Sequence, residues 1–359
     1  RASSMFRENC PLFREGGIVM AQEYSGRFRR KNSTVPISNY LEGIKKGDRT
    51  VLAKAITLIE SNHPDHFRAG QQLLKDIIPL SGKSVRLGIT GVPGAGKSTF
   101  IDRFGTELCK MGKKVAVLAI DPSSTMTGGS ILGDKTRMES LSREENAFIR
   151  PSPSSGTLGG VHRKTRESIM LCEAAGFDVI LVETIGVGQS EVVVRTMVDM
   201  FFMLTITGAG DDLQGMKKGM MELVDGIIIT KADGANKENA IRTRNEYSQI
   251  LRFLRPATEG WQTKAYTCSS ITGEGIIDIW HVVQQFVKIT KQSGIFFERR
   301  RKQTNDWLMT SIVEKLQQSF FQNEVIKEML PVIQQDVEHG RLPVSAAVEQ
   351  LMKLYLNEK

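Results

Sequence analysis

Short runs rich in β-branched and aromatic residues recur through the middle of the chain, at Val85–Thr90, Val115–Ile120, Phe148–Arg150, Asp178–Val182, Phe201–Ile206, Gly226–Thr230 and Ala265–Cys268. Between them the apolar positions fall at helical spacing, so strands alternate with helices. Runs this apolar are buried on both faces, which predicts an α/β fold: a mostly parallel sheet with helices on both sides. Ahead of it, Ser38–Ile78 repeats Leu52, Ile56 and Ile59, then Ala69, Leu73 and Ile77, the pattern of two or three helices. After Gly275 only helical patterns remain, and Phe296–Phe321 and Pro343–Leu356 are amphipathic enough to pack on another surface. No internal repeat is present.

Ligands of a parallel sheet bind at the carboxyl ends of its strands, and the chemistry-bearing motifs fall there. After the first strand come Gly91, Val92, Pro93, Gly94, Ala95, Gly96, Lys97 and Ser98, the pattern G-x-x-x-x-G-K-[ST], followed by a helix reading Thr99 to Met111. A glycine-rich turn entering a helix aims backbone N–H groups and the positive end of the helix dipole at a phosphate chain. Lys97 is expected at the β/γ-phosphates and the Ser98 hydroxyl on Mg²⁺. The motif predicts a nucleoside-triphosphate site.

Thr230, Lys231, Ala232 and Asp233 follow Ile227–Ile229 in the position of the base-reading element [N/T]-K-x-D. A carboxylate at Asp233 accepts from N1–H and the exocyclic amine of guanine, a pair adenine does not offer, so GTP is favoured over ATP. Thr230 stands where Asn is usual, which removes the side-chain amide that braces the loop. Cys268, Ser269 and Ser270, after the last strand, match the loop whose backbone touches the guanine oxygen.

Two carboxylates end strands beside the phosphate loop, Asp121 and Glu183, and either position suits direct or water-mediated Mg²⁺ binding. Glu183 opens an E-x-x-G element, and Gln189 stands three residues beyond its glycine, too far to inherit the water-orienting role directly. Intrinsic hydrolysis is therefore expected to be slow. The loop Thr127–Met138 contains Asp134 and Arg137 and is read as a switch over the γ-phosphate, with Arg137 either an internal arginine finger or a surface arginine. Gly208–Lys218, with Asp211, Asp212, Gln214 and Lys217, is a glycine-rich charged segment suited to changing partners when a phosphate contact is lost.

Composition narrows the class. The 359-residue chain can bury a large core, and no apolar run reaches the roughly 20 residues of a membrane helix. Cys10, Cys109, Cys172 and Cys268 form no C-x-x-C pair, which argues against disulfide, zinc or nickel frameworks. Of the net charge of +8, residues 1–36 contribute seven Arg/Lys against three Glu, or +4, and the rest is spread apart from Glu298–Lys302. With few aromatics near these charges, solvated faces and a phosphate ligand account for the bias without nucleic acid. Residues 1–36 are expected to be a disordered extension; their Arg and Ser content suits a transit peptide, whereas Glu8, Glu15 and Glu23 oppose one. Since the first residue is Arg, Met5 and Met20 are candidate starts.

The strings D-P-S-S-x-x-T-G-G-S-I-L-G-D-K-T-R-M from Asp121, R-P-S-P-S-S-G-T-L-G-G from Arg150, E-T-I-G-V-G-Q-S-E from Glu183 and G-D-D-L-Q-G-M-K-K-G from Gly210 resemble the MeaB/MMAA/ArgK family of P-loop GTPases. The resemblance runs from about Asn39 to Lys359. It implies a GTPase chaperone of adenosylcobalamin-dependent acyl-CoA mutases, chiefly methylmalonyl-CoA mutase, that gates cofactor delivery and protects or reactivates the mutase. It also implies contact with the mutase's adenosyltransferase, and a homodimer formed through C-terminal helices. By the same resemblance Lys97, Ser98, Asp121, Asp134 and Glu183 are the phosphate and Mg²⁺ residues. The nucleotide pocket maps to Gly91 through Thr99, with Lys231, Asp233 and Cys268 to Ser270, and the Gly208–Lys218 segment is an extra switch facing the mutase. The regions implied are an N-terminal helical region at 37–82, a P-loop GTPase domain at 83–290 and a helical dimerisation region at 291–359. A bacterial cytoplasm is favoured over a mitochondrial matrix by the acidic residues of the tail. A nickel-insertion GTPase would share fold and E-x-x-G but should carry clustered Cys/His ligands, whereas the five histidines offer only His63 and His66 as a near pair. A protein kinase of an amino-acid transport system, a name once attached to such proteins, should show a catalytic-loop signature, and none is present.

Overall fold

The computed structural model describes residues 36–61, 63–121, 137–153, 158–184, 190–208 and 219–357. From Ile37 the chain forms one compact unit. Three helices come first, α1 (Ile37–Lys45), α2 (Arg49–Glu60) and α3 (Pro64–Ile77). Asp48 starts α2 by accepting from the N–H groups of Thr50 and Val51 at 2.8 and 3.1 Å, and Pro64 sits at the first position of α3, where no N–H is needed.

The α/β part then runs β1 (Val85–Gly91), α4 (Lys97–Lys110), β2 (Val115–Asp121), α5 (Glu139–Ser142), β3 (Ala147–Pro153), α6 (Leu158–Ala174), β4 (Val179–Thr184), α7 (Ser190–Arg195), β5 (Met200–Thr205), β6 (Gly226–Ile229), α8 (Lys237–Leu251), β7 (Lys264–Thr267) and α9 (Ile276–Gln292). The C-terminal helices are α10 (Ile295–Gln322), α11 (Glu324–Glu338) and α12 (Val344–Asn357). All seven predicted strands are present, in the order β3-β2-β4-β1-β5-β6-β7, with every pairing parallel. The third strand extends beyond its predicted end because it stays in register with β2 as far as Asp121↔Pro153.

Period-two alternation divides each strand between two cores. In β4, Ile180 and Val182 pack with α1–α3 and α6 through Leu52, Ile56, Leu73 and Ile169, while Val179 and Leu181 pack on the other face with Phe100 and Phe104 of α4 and Val283 and Phe286 of α9. Helices therefore cover both faces, as predicted. A third, small cluster of Ile326, Ile333, Ala347, Leu351 and Tyr355 joins α11 to α12. Among the described residues no helix is long and apolar enough to cross a membrane.

The register positions the site. β1 lies between β4 and β5, pairing Ile89 with Glu183 and Gly91 with Leu204, and β2 pairs Ala119 with the same Glu183. The glycine-rich loop after β1, Glu183 and the backbone of Asp121 thus emerge side by side at the carboxyl edge of the sheet.

Candidate functional site

The loop between β1 and α4 is shaped by glycine where side chains do not fit. A Cβ on Gly91 would lie 2.2 Å from the Leu204 carbonyl oxygen, so the chain passes β5 there only without one. Gly96 caps α4 with φ 78°, in the left-handed region, and α4 accordingly begins at Lys97, two residues earlier than predicted. Lys97 is 9% exposed, and its Nζ donates to the Gly91 carbonyl at 2.8 Å and the Val92 carbonyl at 3.4 Å. Burial pulls its ammonium below the ordinary lysine range, and the carboxylates of Glu183 and Glu191 push back. Ser98 Oγ donates to Glu183 Oε1 at 3.0 Å, joining the loop hydroxyl to the E-x-x-G carboxylate. Behind this pair, Thr184 Oγ1 donates to Thr90 Oγ1 at 2.9 Å and locks the tips of β4 and β1 together.

The base-reading loops also meet. The Ala232 N–H donates to the Cys268 carbonyl at 3.0 Å, and Ser269 Oγ donates to Asp233 Oδ2 at 2.5 Å. Lys231 has φ 56°, the one non-glycine residue with positive φ among those described, and its carbonyl accepts from Asn236 Nδ2 at 2.7 Å. Such a conformation persists where its surroundings over-determine it, as at binding loops. Ser270 is half-buried, whereas Cys268 is buried and burial pushes its thiol up to about 12, so it serves packing rather than reaction.

The brace expected to be missing at Thr230 is present in another form. Its buried hydroxyl donates to the Ala95 carbonyl at 2.6 Å and approaches the Thr205 carbonyl at 3.2 Å. A short β-branched side chain thus joins the base-reading strand to the phosphate loop directly. No local pattern signals this contact, which spans 135 residues.

The other predicted residues are placed less fully. Asp134, Gln189, Asp211, Asp212, Gln214 and Lys217 lie outside the described residues, as does the Asp121 side chain, whose backbone ends β2. Arg137 is exposed, at the start of a segment whose next residue, Met138, is fully buried. That segment is anchored by a residue the motifs did not indicate: Asp102 of α4 accepts from the Leu141 N–H at 2.8 Å. His66 Nδ1 lies 2.8 Å from Ser61 Oγ and His63 caps α3; among the described residues no three His, Cys, Asp or Glu are grouped to hold a metal.

This geometry is the setting for a match to the family described as methylmalonyl-CoA mutase-associated GTPase MeaB, over residues 52–325. The chain belongs to the MeaB family. It is accordingly a GTPase and takes a guanine nucleotide. Relatives include the GTPase ArgK of Escherichia coli, 50% identical over 288 residues, covering 80% of this chain and 87% of that one. The mitochondrial methylmalonic aciduria type A homolog of Mus musculus is 44% identical over 323 residues, covering 87% and 78%. A solved structure named as an LAO/AO transport system kinase is similar to this chain with TM-score 0.72 and 39% identity, covering 89% of this chain and 97% of that one.

Proposed function

We propose that this MeaB-family GTPase is a chaperone of an adenosylcobalamin-dependent acyl-CoA mutase, with methylmalonyl-CoA mutase as first candidate. In this reading it gates delivery of the cofactor, protects or reactivates the mutase and contacts the mutase's adenosyltransferase. The observation that carries it is the match over residues 52–325 to a family described as mutase-associated. Adenosylcobalamin enters only through the partner. The relatives are bacterial and mitochondrial, and the bacterial cytoplasm is our reading for this chain.

Within the site, the backbone from Gly91 to Thr99 cradles the phosphates and Lys97 neutralises them. Asp233 reads the guanine edge, held in place by the Ser269 hydroxyl, with Lys231 and the Cys268–Ser270 backbone completing the base pocket. The oxygen donors of Ser98 and Glu183, 3.0 Å apart, suit a hard cation such as Mg²⁺, with Asp121 and Asp134 as further ligands. When bound, Mg²⁺ supplies charge neutralisation at the β- and γ-phosphates. Glu183, tied to the loop through Ser98, holds the E-x-x-G element against the phosphates; Arg137 adds positive charge to the transferring group, and Asp211, Asp212, Gln214 and Lys217 present the nucleotide state to the mutase.

The C-terminal helices form the dimerisation region in this reading. Leu308, Met309, Ile312, Val313 and Leu316 lie exposed along one side of α10, and Val344, Val348 and Met352 along α12. Apolar stripes of this length mark a protein interface, and a second copy of the chain is the occupant we propose.

The chaperone reading is tested by mutase binding. Affinity for the mutase should differ between GDP and a non-hydrolysable GTP analogue, and equal affinity would sink it. The transport-system kinase name of the solved relative defines a second reading, which gains if labelled γ-phosphate ends on protein rather than as inorganic phosphate.

A further inference from the structure

The root of α10 grips the short segment between α7 and β5. Gln303, 8% exposed, donates through Nε2 to the Val198 carbonyl at 2.8 Å and the Arg195 carbonyl at 3.3 Å. Arg166 of α6 staples the same place: it donates to the Thr196 carbonyl at 2.8 Å, to Thr196 Oγ1 at 2.7 Å and to the Gln303 carbonyl at 3.3 Å, and its guanidinium lies over the Trp307 ring at 5.6 Å. Arg300 makes a two-pronged pair with Asp199 at 2.6 and 2.7 Å. Arg299 reaches the Asp199 carbonyl and Thr258. At its own end α7 is fixed sideways, where Arg195 pairs with Asp225 at 2.6 Å.

The other end of α7 belongs to the nucleotide site. α7 begins seven residues after Glu183 and packs on β4 and β1, the strand that enters the phosphate loop; a Cβ on Gly88 of β1 would lie 3.0 Å from Val194 Cγ1, and Glu191 in the first turn is 2% exposed. A six-residue helix is about 9 Å long, so one short element runs from the chain that follows Glu183 to the α10 root. Beyond Trp307, α10 carries the exposed apolar stripe of Leu308 to Leu316.

We propose that α7 and the root of α10 form one mechanical unit that carries the nucleotide state to the C-terminal helices. By linkage the same unit returns the state of those helices to the nucleotide site as a change in affinity. The inference rests on the guanine-nucleotide site described above, and Gln303 and Arg166 act in it as positioning residues that touch no nucleotide. Rotation of α7 drags residues 195–198, and the Gln303 amide and the Arg166 guanidinium, both bonded there, turn that displacement into a tilt of α10.

Hydrogen–deuterium exchange of the full chain, with GDP and with a non-hydrolysable GTP analogue, tests this. Peptides covering 299–316 should exchange at rates differing by about fivefold between the two states, the lower end of ordinary allosteric coupling. Gln303→Met should abolish that difference while peptides of the phosphate loop still respond to nucleotide. Gln303→Asn and Arg166→Met are the second variants should the first fold poorly. A phosphate loop that responds while 299–316 does not, or a difference that survives in the variants, overturns the inference. A phosphate loop that responds to neither nucleotide overturns the nucleotide-site reading itself, and the coupling with it.

Discussion

Ser98 and Glu183, 85 residues apart in the chain, are joined by a 3.0 Å hydrogen bond because β1 and β4 are neighbours paired at Ile89↔Glu183. Glu183 is 9% exposed and bonds to a residue in the first turn of α4, at the dipole end where negative charge is stabilised. Glu183→Gln keeps an acceptor for Ser98 but removes the charge. It should leave GDP affinity within a few-fold and lower GTP turnover by about a hundredfold, the range seen when one electrostatic contact to a transition state is removed. Steady-state turnover and calorimetric GDP binding check this together; unchanged turnover would take Glu183 out of the chemistry.

Thr230→Val keeps the β-branched shape and deletes the hydroxyl that reaches Ala95. The Ala95 carbonyl then loses its donor in a buried setting, at about 1–3 kcal/mol. GTP affinity should fall roughly tenfold and the midpoint of thermal unfolding should drop, while Thr230→Ser retains both. Equal behaviour of the Val and Ser variants in calorimetry would show that the brace is dispensable.

Asp233→Asn replaces an acceptor with an amide whose oxygen can still take the Ser269 hydroxyl, leaving NH₂ towards the base. Donor then faces donor, and GTP binding should weaken by about 1–3 kcal/mol while ATP binding is unaffected. The ratio of the two dissociation constants is the readout; an unchanged ratio would place base selection elsewhere.

Glu167 supplies a pH-dependent prediction outside the site. Burial in the α3–α6 interface pushes its carboxyl from 4.5 up to about 7, against the pull of Arg163, Gln71 and Lys164. The folded state then binds more protons than the unfolded one between about pH 4.5 and 7, so stability from this group falls as pH rises through that window and is flat above it. Glu167→Gln should therefore stabilise the protein at pH 8, by at most about 3 kcal/mol, and lose its advantage near pH 4.5. Denaturant unfolding at the two pH values measures the difference.

Strands and phosphate loop were readable in the sequence because each is specified locally: apolar runs buried on both faces, and glycines at Gly91 and Gly96 that no other residue replaces without strain. The backbone positions of Asp121 and Glu183 at the ends of β2 and β4 were readable for the same reason. What escaped was set by approach in space. Thr230 reads as a defect until its hydroxyl is seen against Ala95, 135 residues away. Glu298–Lys302 reads as solvated charge, yet Arg299 and Arg300 turn inward onto Asp199, Asp225 and Thr258 while Arg301 and Lys302 stay exposed. Helical periodicity cannot separate such neighbours when their carboxylate partners come from the turns that lead into β5 and β6.

GTP turnover by the purified protein, alone and with an adenosylcobalamin-dependent methylmalonyl-CoA mutase from the same source, tests the central claim most directly. The account predicts slow turnover alone and marked acceleration by the mutase. Turnover that is intact but indifferent to the mutase would leave the GTPase standing and contradict the chaperone role.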